Sequence, residues 1–401
     1  MQHKAIHPID YFKNLTSKEK NICFMCGKTN NGFKTLIAYN PADKFIYKSS
    51  SSNSGFRTQL EKFIQKNTAH GRKIIGYISY DLGINLHEIK TAKKPSLNLP
   101  DIYFLAFDKW KTFNCKTDIR KKIPYDWKPK VSPWKSSMTQ SAYDKAYKKI
   151  KHHIKEGDIY QINLTHCLQA KTTLPPRELF LRILKTNPVD FLAYIEGDGF
   201  EVLSASPERF IKVTNRKIET CPVKGTRPRG KNVYKDKKLK TELMNSEKEA
   251  AELNMITDLL RNDLGKICHP GSVKVEGQRL ISACKTVWHT YSKITGEIFQ
   301  NISPIHAMLS MLPGGSITGC PKKRAMEIID ELEPVSRGIY TGIIGCIDPD
   351  QNMDFSIAIR TVIKKDDKLY LQVGGGIVID SKNKAEYEET LSKATSFNKI
   401  L

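Results

Sequence analysis

The sequence predicts an α+β fold with mixed or antiparallel sheets. Three observations lead there. Strand-like runs and helical periodicities alternate irregularly; no βαβ unit repeats, which argues against a doubly wound parallel sheet; and there is no solenoid period or low-complexity tract. With 401 residues, 39% apolar and 27% charged, the chain can bury one large core or two to three ordinary ones.

Taken in order, residues 1–105 read as short strands and turns, with strand-like runs at 34–38 and 74–80. Residues 109–140 are polar, with Pro124, Pro129, Pro133 and three tryptophans, and read as a connecting segment. A helix follows, because Tyr143, Tyr147, Ile150 and Ile154 recur at helical spacing and Gly157 can end it. Strands are expected at 191–196, 200–204 and 210–213. The strongest helix covers 245–266: Ser246 and Glu249 make a capping box, and Ala250, Leu253, Ile256, Leu259, Leu260 and Leu264 give an apolar face. Another helix starts at Pro321, a good first helical residue, and runs to about 333. Strands return at 342–347, 354–363 and 368–373, and a last helix runs over 384–398.

Lys plus Arg number 65 against 42 Asp plus Glu, a balance of +23. The basic residues are dispersed, and clusters such as Arg120-Lys121-Lys122 and Lys322-Lys323-Arg324 are short. Without a basic arm or interleaved aromatics, this predicts a lysine-rich solvated surface that attracts acidic small molecules, and no nucleic-acid partner. No apolar run reaches the roughly 18–20 residues of a bilayer span, so no membrane association is expected. The start, Met1 to Leu15, lacks an apolar signal core, and the nine cysteines are odd in number and scattered. Reduced thiols and a cytoplasmic location are expected.

Several residues could carry chemistry. Glu252 sits at the edge of an apolar helical stripe, with Met255, Ile256 and Leu259 as neighbours. It is either a border residue reaching solvent or a metal ligand or acid. The last helix offers Glu386, Glu388 and Glu389, with Lys393 four residues beyond Glu389, a solvated charged face unless something converges on it. Carboxylates from two helices, completed by substrate oxygens and water, would suit Mg²⁺. Three glycine loops stand out: Leu312 to Pro321 leading into a helix N-terminus, Gly374-Gly375-Gly376 after a strand, and Pro222 to Pro228, which sets Lys224 beside Gly225. Their spacings are neither a Walker A loop nor a dinucleotide fingerprint, and each alone could be a plain turn. Cys23-Phe24-Met25-Cys26 is a lone CxxC without a zinc or thioredoxin context. Neither HExxH nor GxSxG occurs, which disfavours zinc and serine hydrolases.

In order over about residues 140–400, these segments resemble the chorismate-utilising enzymes, among them anthranilate synthase large subunit, aminodeoxychorismate synthase component I, isochorismate synthase and salicylate synthase. The resemblance is carried by Gly157 to Asn163, Ser204 to Phe210, Pro222 to Arg227, Ala251-Glu252, Asp258 to Asp263, Pro313 to Pro321, Tyr340, Ile359 to Thr361, Gly374 to Val378 and Glu386 to Thr390. Lys224 stands where anthranilate synthases typically have Ala and aminodeoxychorismate synthases a lysine. Gln161 stands where isochorismate and salicylate synthases carry a water-activating lysine. Tyr77 to Gly83 resembles an N-terminal element of the aminodeoxychorismate branch. Pro188 to Leu192 departs from the Pro-x-Ser-x-Phe segment that helps some members hold tryptophan.

The resemblance implies a two-lobed, four-layer α/β/β/α body with facing mixed or antiparallel sheets, like anthranilate synthase component I. It implies an N-terminal region over 1–130 and a chorismate-binding catalytic region over 131–401, both in one compact body. The implied reaction is amination of chorismate to 4-amino-4-deoxychorismate, with ammonia from a partner glutamine amidotransferase, on the way to 4-aminobenzoate and folate. Glu208 is then the acid/base, unless it only pairs with Arg209 in a turn. Lys224 is the nucleophile, unless it is a surface lysine; His289 is an active-site histidine or a packed core one. Thr226, Tyr340, Arg360, Gly374, Gly375, Gly376 and Lys393 hold the substrate, and Glu252 and Glu389 hold Mg²⁺. The alternatives are anthranilate synthase component I and, from another class, an inactive scaffold subunit or a nucleic-acid-binding protein.

Overall fold

The computed structural model describes residues 6–398 apart from 30–31, 50–54, 92, 94, 96, 125–126, 128–129, 188 and 284–286. Among them run two ten-stranded sheets. The first has the order Gly319–Cys320, Gln161–Lys171, Lys368–Ile377, Thr361–Lys365, Glu201–Ser206, Phe191–Glu196, Cys23–Thr29, Gly32–Ala38, Trp110–Cys115, with Lys135–Ser136 beside Gln161–Lys171. The second has the order Val223–Pro228, Val287–Glu297, Lys217–Cys221, Arg209–Thr214, Met353–Ile357, Ile343–Ile347, Lys73–Ile78, Ile102–Phe107, Asp43–Tyr47, with Lys274–Ala283 beside Val287–Glu297. Every pairing is antiparallel, so of the two expected sheet types the antiparallel one is realised.

The strand period of two builds the layers. Ile75, Tyr77, Tyr103 and Leu105 of the second sheet pack with Cys23, Ala193, Ile195 and Val202 of the first, which makes the inter-sheet core. Their neighbours Leu192, Tyr194 and Leu203 face outward onto Leu179, Phe180 and Ile183 of the helix Pro176–Thr186. On the far side, Ile74, Ile78 and Phe104 meet Leu60, Phe63 and Ile64 of the helix Phe56–Ala69. Ile102–Phe107 is buried at every position because it is covered on both faces. The α/β/β/α layering follows directly. Strands from the first 130 residues are built into both sheets: Cys23–Thr29 pairs with Phe191–Glu196, and Lys73–Ile78 with Ile343–Ile347.

Local departures from the sequence expectation are instructive. The run at 354–363 is not one strand. It breaks between Met353–Ile357 in the second sheet and Thr361–Lys365 in the first, with Arg360 at φ +50° in the crossover. Tyr80 leaves its strand run and opens the short helix Tyr80–Leu86, capped by Ser79. The polar 109–140 stretch contributes the edge strand Trp110–Cys115. Ser246 caps the helix Glu247–Gly265 as expected, its Oγ accepting from the Glu249 amide. No helix among the described residues is long and apolar enough to cross a membrane.

Cys23 and Cys26 are buried in a strand, and burial pushes both thiols up, Cys26 to about 11. That environment suits neither thiolate chemistry nor a metal.

Candidate active site

A cavity of about 170 Å³ opens where the edge strand Val223–Pro228 of the second sheet approaches the end of Lys368–Ile377 in the first. Of the residues singled out in the sequence, Glu208, Lys224, Tyr340, Arg360, Gly374, Gly375, Gly376 and Lys393 line it. Thr226, His289, Glu252 and Glu389 stand outside its lining.

Lys224 is aimed by the residue after it. Gly225 has φ +78°, and the register against Val287–Glu297 slips between Lys224 and Thr226. A Cβ at Gly225 would stand 2.9 Å from Leu243 Cδ1 and 3.0 Å from Glu249 Oε2, so the bulge requires glycine twice over. Opposite, Gly376 leaves room for two polar groups. A Cβ there would lie 2.9 Å from Gln161 Nε2 and 3.9 Å from Lys224 Nζ. Burial lowers the Lys224 amine from its usual value, against the opposing pull of Glu252 and Glu208. The Gln161 side chain is buried, and its Oε1 has no hydrogen-bond partner.

Glu208 closes the strand turn before Arg209–Thr214 and is 6% exposed. Burial raises its carboxyl to about 7, opposed by Ser316, which donates from Oγ to Oε1 at 2.7 Å, and by the Lys224 charge. Arg209 turns away from it and pairs with Asp354 and Glu219, so the alternative of a local Glu208–Arg209 pair is not realised. The cavity therefore holds a carboxylic acid poised near neutrality and an amine whose neutral form is favoured by burial.

The flanking groups form two sets. Thr226 Oγ1 and His289 Nδ1 lie 2.8 Å apart, and burial, with the Arg360 charge, lowers the imidazole. His289 is thus a buried, neutral ring behind the cavity wall rather than a wall residue. On the other side, Lys393 Nζ donates to Gly374 O at 2.8 Å and pairs with Glu389 at 2.9 Å. Glu252 is half-buried, with Lys248 Nζ at 4.0 Å.

The carboxylates fit a hard cation. Glu252 and Glu389 come from separate helices, yet both bear on the Lys224 amine. Glu386 is pushed up first by burial and further by Glu389, a like-charge crowding that a divalent ion would relieve. The donors are all oxygen, and among the described residues no three ligands form a ready protein cage. Mg²⁺ typically binds through one or two carboxylates plus water and substrate oxygens.

The sequence reading passed over Ser316 as one residue of a glycine loop. Its short turn, Gly315–Ile317, is flanked by Pro313, Gly314 and Gly319 and is buried at every position. It also passed over Arg337 and Glu333, a fully buried ion pair beside Tyr340.

Comparison with known proteins places this geometry. The family described as chorismate binding enzyme matches residues 20–399. The chain is 34% identical over 358 residues to aminodeoxychorismate synthase component 1 of Bacillus subtilis (strain 168), covering 82% of this chain and 76% of that one. It is 40% identical over 269 residues to anthranilate synthase component 1 of Cereibacter sphaeroides, covering 67% of this chain and 54% of that one. Anthranilate synthase component I from Streptococcus pneumoniae superposes with a TM-score of 0.80 at 26% identity, over 99% of this chain and 98% of that one. With a match running through both sheets and every wall of the cavity, the chain belongs to the family of chorismate binding enzymes.

Proposed function

We propose that this enzyme aminates chorismate to 4-amino-4-deoxychorismate, with Lys224 as covalent nucleophile and Glu208 as general acid. The observation that carries the reading is Lys224 itself: a lysine with a lowered pKa facing the same cavity as a carboxyl held near 7. The relatives named above span two reactions, but a lysine here has no use in the one that ammonia starts directly.

In the first step the neutral Lys224 amine attacks ring C2. The C2–N bond forms, the two conjugated ring double bonds move from C1=C2 and C5=C6 to C6=C1 and C4=C5, and the C4–O bond breaks. Glu208 gives its proton to the departing hydroxyl, which leaves as water, a contribution of typically ~10²–10⁴-fold. Ammonia then attacks C4, the two double bonds shift back, the C2–N bond breaks to return the neutral Lys224 amine, and the new C4 ammonium gives a proton back to Glu208. Arg360 offers a planar fork to the enolpyruvyl carboxylate. Tyr340 and the glycine row Gly374–Gly376 complete the grip, with Lys393 pinned to Gly374 and Thr226 standing behind the wall. His289, held by Thr226, keeps that part of the wall neutral. Glu252 and Glu389 would hold Mg²⁺, which when bound supplies Lewis acidity and a template at the ring carboxylate.

Ammonia is to come from a separate glutamine amidotransferase subunit, and the product is to feed 4-aminobenzoate and folate synthesis in the cytoplasm. Residues 1–130 and 131–401 would act as one body, since both contribute strands to each sheet. The test is incubation with chorismate, Mg²⁺ and an ammonium salt, followed by product identification. 4-Amino-4-deoxychorismate supports the proposal; anthranilate would assign the other branch.

A further inference from the structure

Arg337 heads the fully buried side chains, at 1% exposure. Its guanidinium donates from Nε and Nη2 to Glu333 at 3.0 and 2.7 Å, from Nη1 to Ile317 O at 2.8 Å, and from Nη2 to Asn163 O at 2.6 Å. It also lies 4.7 Å from the Tyr80 ring centroid. Asn163 reinforces the same junction, its Nδ2 donating to Ile317 O at 3.2 Å and its amide to Thr318 O at 2.8 Å. Glu333 is fixed in turn by the Thr165 amide at 2.9 Å. One side chain thus joins the start of Gln161–Lys171 to the turn that carries Ser316.

Stability alone does not account for this arrangement. A buried ion pair is commonly no better than well-packed apolar residues of the same volume. What an apolar pair cannot do is set two carbonyls at fixed distance and angle, for which a rigid planar fork is suited. Ile317 O adjoins Ser316, and Ser316 Oγ is the donor to Glu208.

We propose that Arg337 is a positioning residue: by tying Ile317 O to Asn163 O it sets the Gly315–Ile317 turn at the depth from which Ser316 donates to Glu208. This rests on the assignment of Glu208 as the acid. Arg337 makes no contact with Glu208 itself; the charged group bearing on that carboxyl is Lys224.

The test is Arg337→Lys, which keeps the charge opposite Glu333 and loses the fork. We expect kcat to fall about 10- to 100-fold, as for a misplacement of about an ångström, with KM for chorismate unchanged within about twofold. The infrared carbonyl band of protonated Glu208, identified by its loss in Glu208→Gln, should move to where Ser316→Ala puts it. The double variant Arg337→Lys/Ser316→Ala should be no slower than the slower single variant. A lowered Tm with kcat and band unchanged overturns the proposal, and so do losses that multiply in the double variant. Should Arg337→Lys fail to fold, Glu333→Gln leaves the guanidinium in place with a weaker anchor and is read by the same two measurements, with a smaller shift in the same direction expected and no shift overturning the proposal. If Glu208→Gln keeps its turnover, the acid assignment falls; if it is inactive and the band is unmoved in Arg337→Lys, only the role of Arg337 falls.

Discussion

Ser316 Oγ donates to Glu208 Oε1 at 2.7 Å, and both side chains are buried. That contact stabilises the ionised carboxylate and partly offsets the upward push of burial. Removing it in Ser316→Ala leaves only the Lys224 charge and the Val223 amide to oppose burial, so the Glu208 pKa rises further. An acid is active while protonated, so kcat/KM falls as pH climbs through its pKa. The alkaline limb of the pH–kcat/KM profile should therefore move up by about one pH unit in Ser316→Ala, the equivalent of one hydrogen bond. A limb that stays put or moves down counts against the contact.

Glu208→Gln tests the same group through stability. The folded carboxyl sits at about 7 against an ordinary glutamate value of 4.5, so the folded protein binds the proton more tightly than the unfolded chain. That favours folding fully below about 4.5 and is lost as pH rises through 7. At pH 8 the buried charge costs about 3 kcal/mol, which glutamine removes. Thermal melts should show Glu208→Gln more stable than wild type at pH 8 and no more stable at pH 4.5, while turnover falls ~10²–10⁴-fold.

Gly225→Ala forces a Cβ into a position at φ +78° with neighbours at 2.9–3.1 Å. We expect a loss of more than about 1 kcal/mol in urea unfolding, because alanine cannot take this backbone conformation without strain. Turnover should fall at least about 10-fold as the bulge relaxes and Lys224 is re-aimed. Wild-type kcat in this variant would show that the bulge does not aim the lysine.

Much of this was legible in the sequence, and the misses have physical causes. Helical spacing and the Ser246 cap located Glu247–Gly265 within two residues at each end. Leu60, Phe63 and Ile64 carry the same signal for Phe56–Ala69, in a stretch that reads as strands and turns because its neighbours are short and rich in small polar residues. The 354–363 run looks continuous because both halves are apolar; nothing local marks that they serve different sheets, and only tertiary placement puts Arg360 in the crossover. Glu208 and Lys224 lie at least 136 residues before Arg360 and the glycines in the chain, and only tertiary placement brings them to one cavity. Ser316 and Arg337 act through long-range contacts that no periodicity announces.

Glu252→Gln and Glu389→Gln should each raise the Mg²⁺ concentration for half-maximal turnover by about 10-fold or more. Glu252→Gln also removes a charge that raises the Lys224 pKa, so that pKa should fall. The acid limb of the pH–kcat profile, set by the fraction of neutral amine, should then move to lower pH. Unchanged Mg²⁺ dependence in both variants would remove the metal assignment.

The most direct measurement is of the covalent intermediate. Enzyme incubated with chorismate and Mg²⁺ without ammonia, quenched and digested, is examined by peptide mass spectrometry. The account predicts an adduct of chorismate less one water on the peptide carrying Lys224, discharged on adding ammonium and absent in Lys224→Ala, whose amination rate falls at least ~10²-fold. An unmodified Lys224 with normal turnover, or near-wild-type amination by Lys224→Ala, would contradict it.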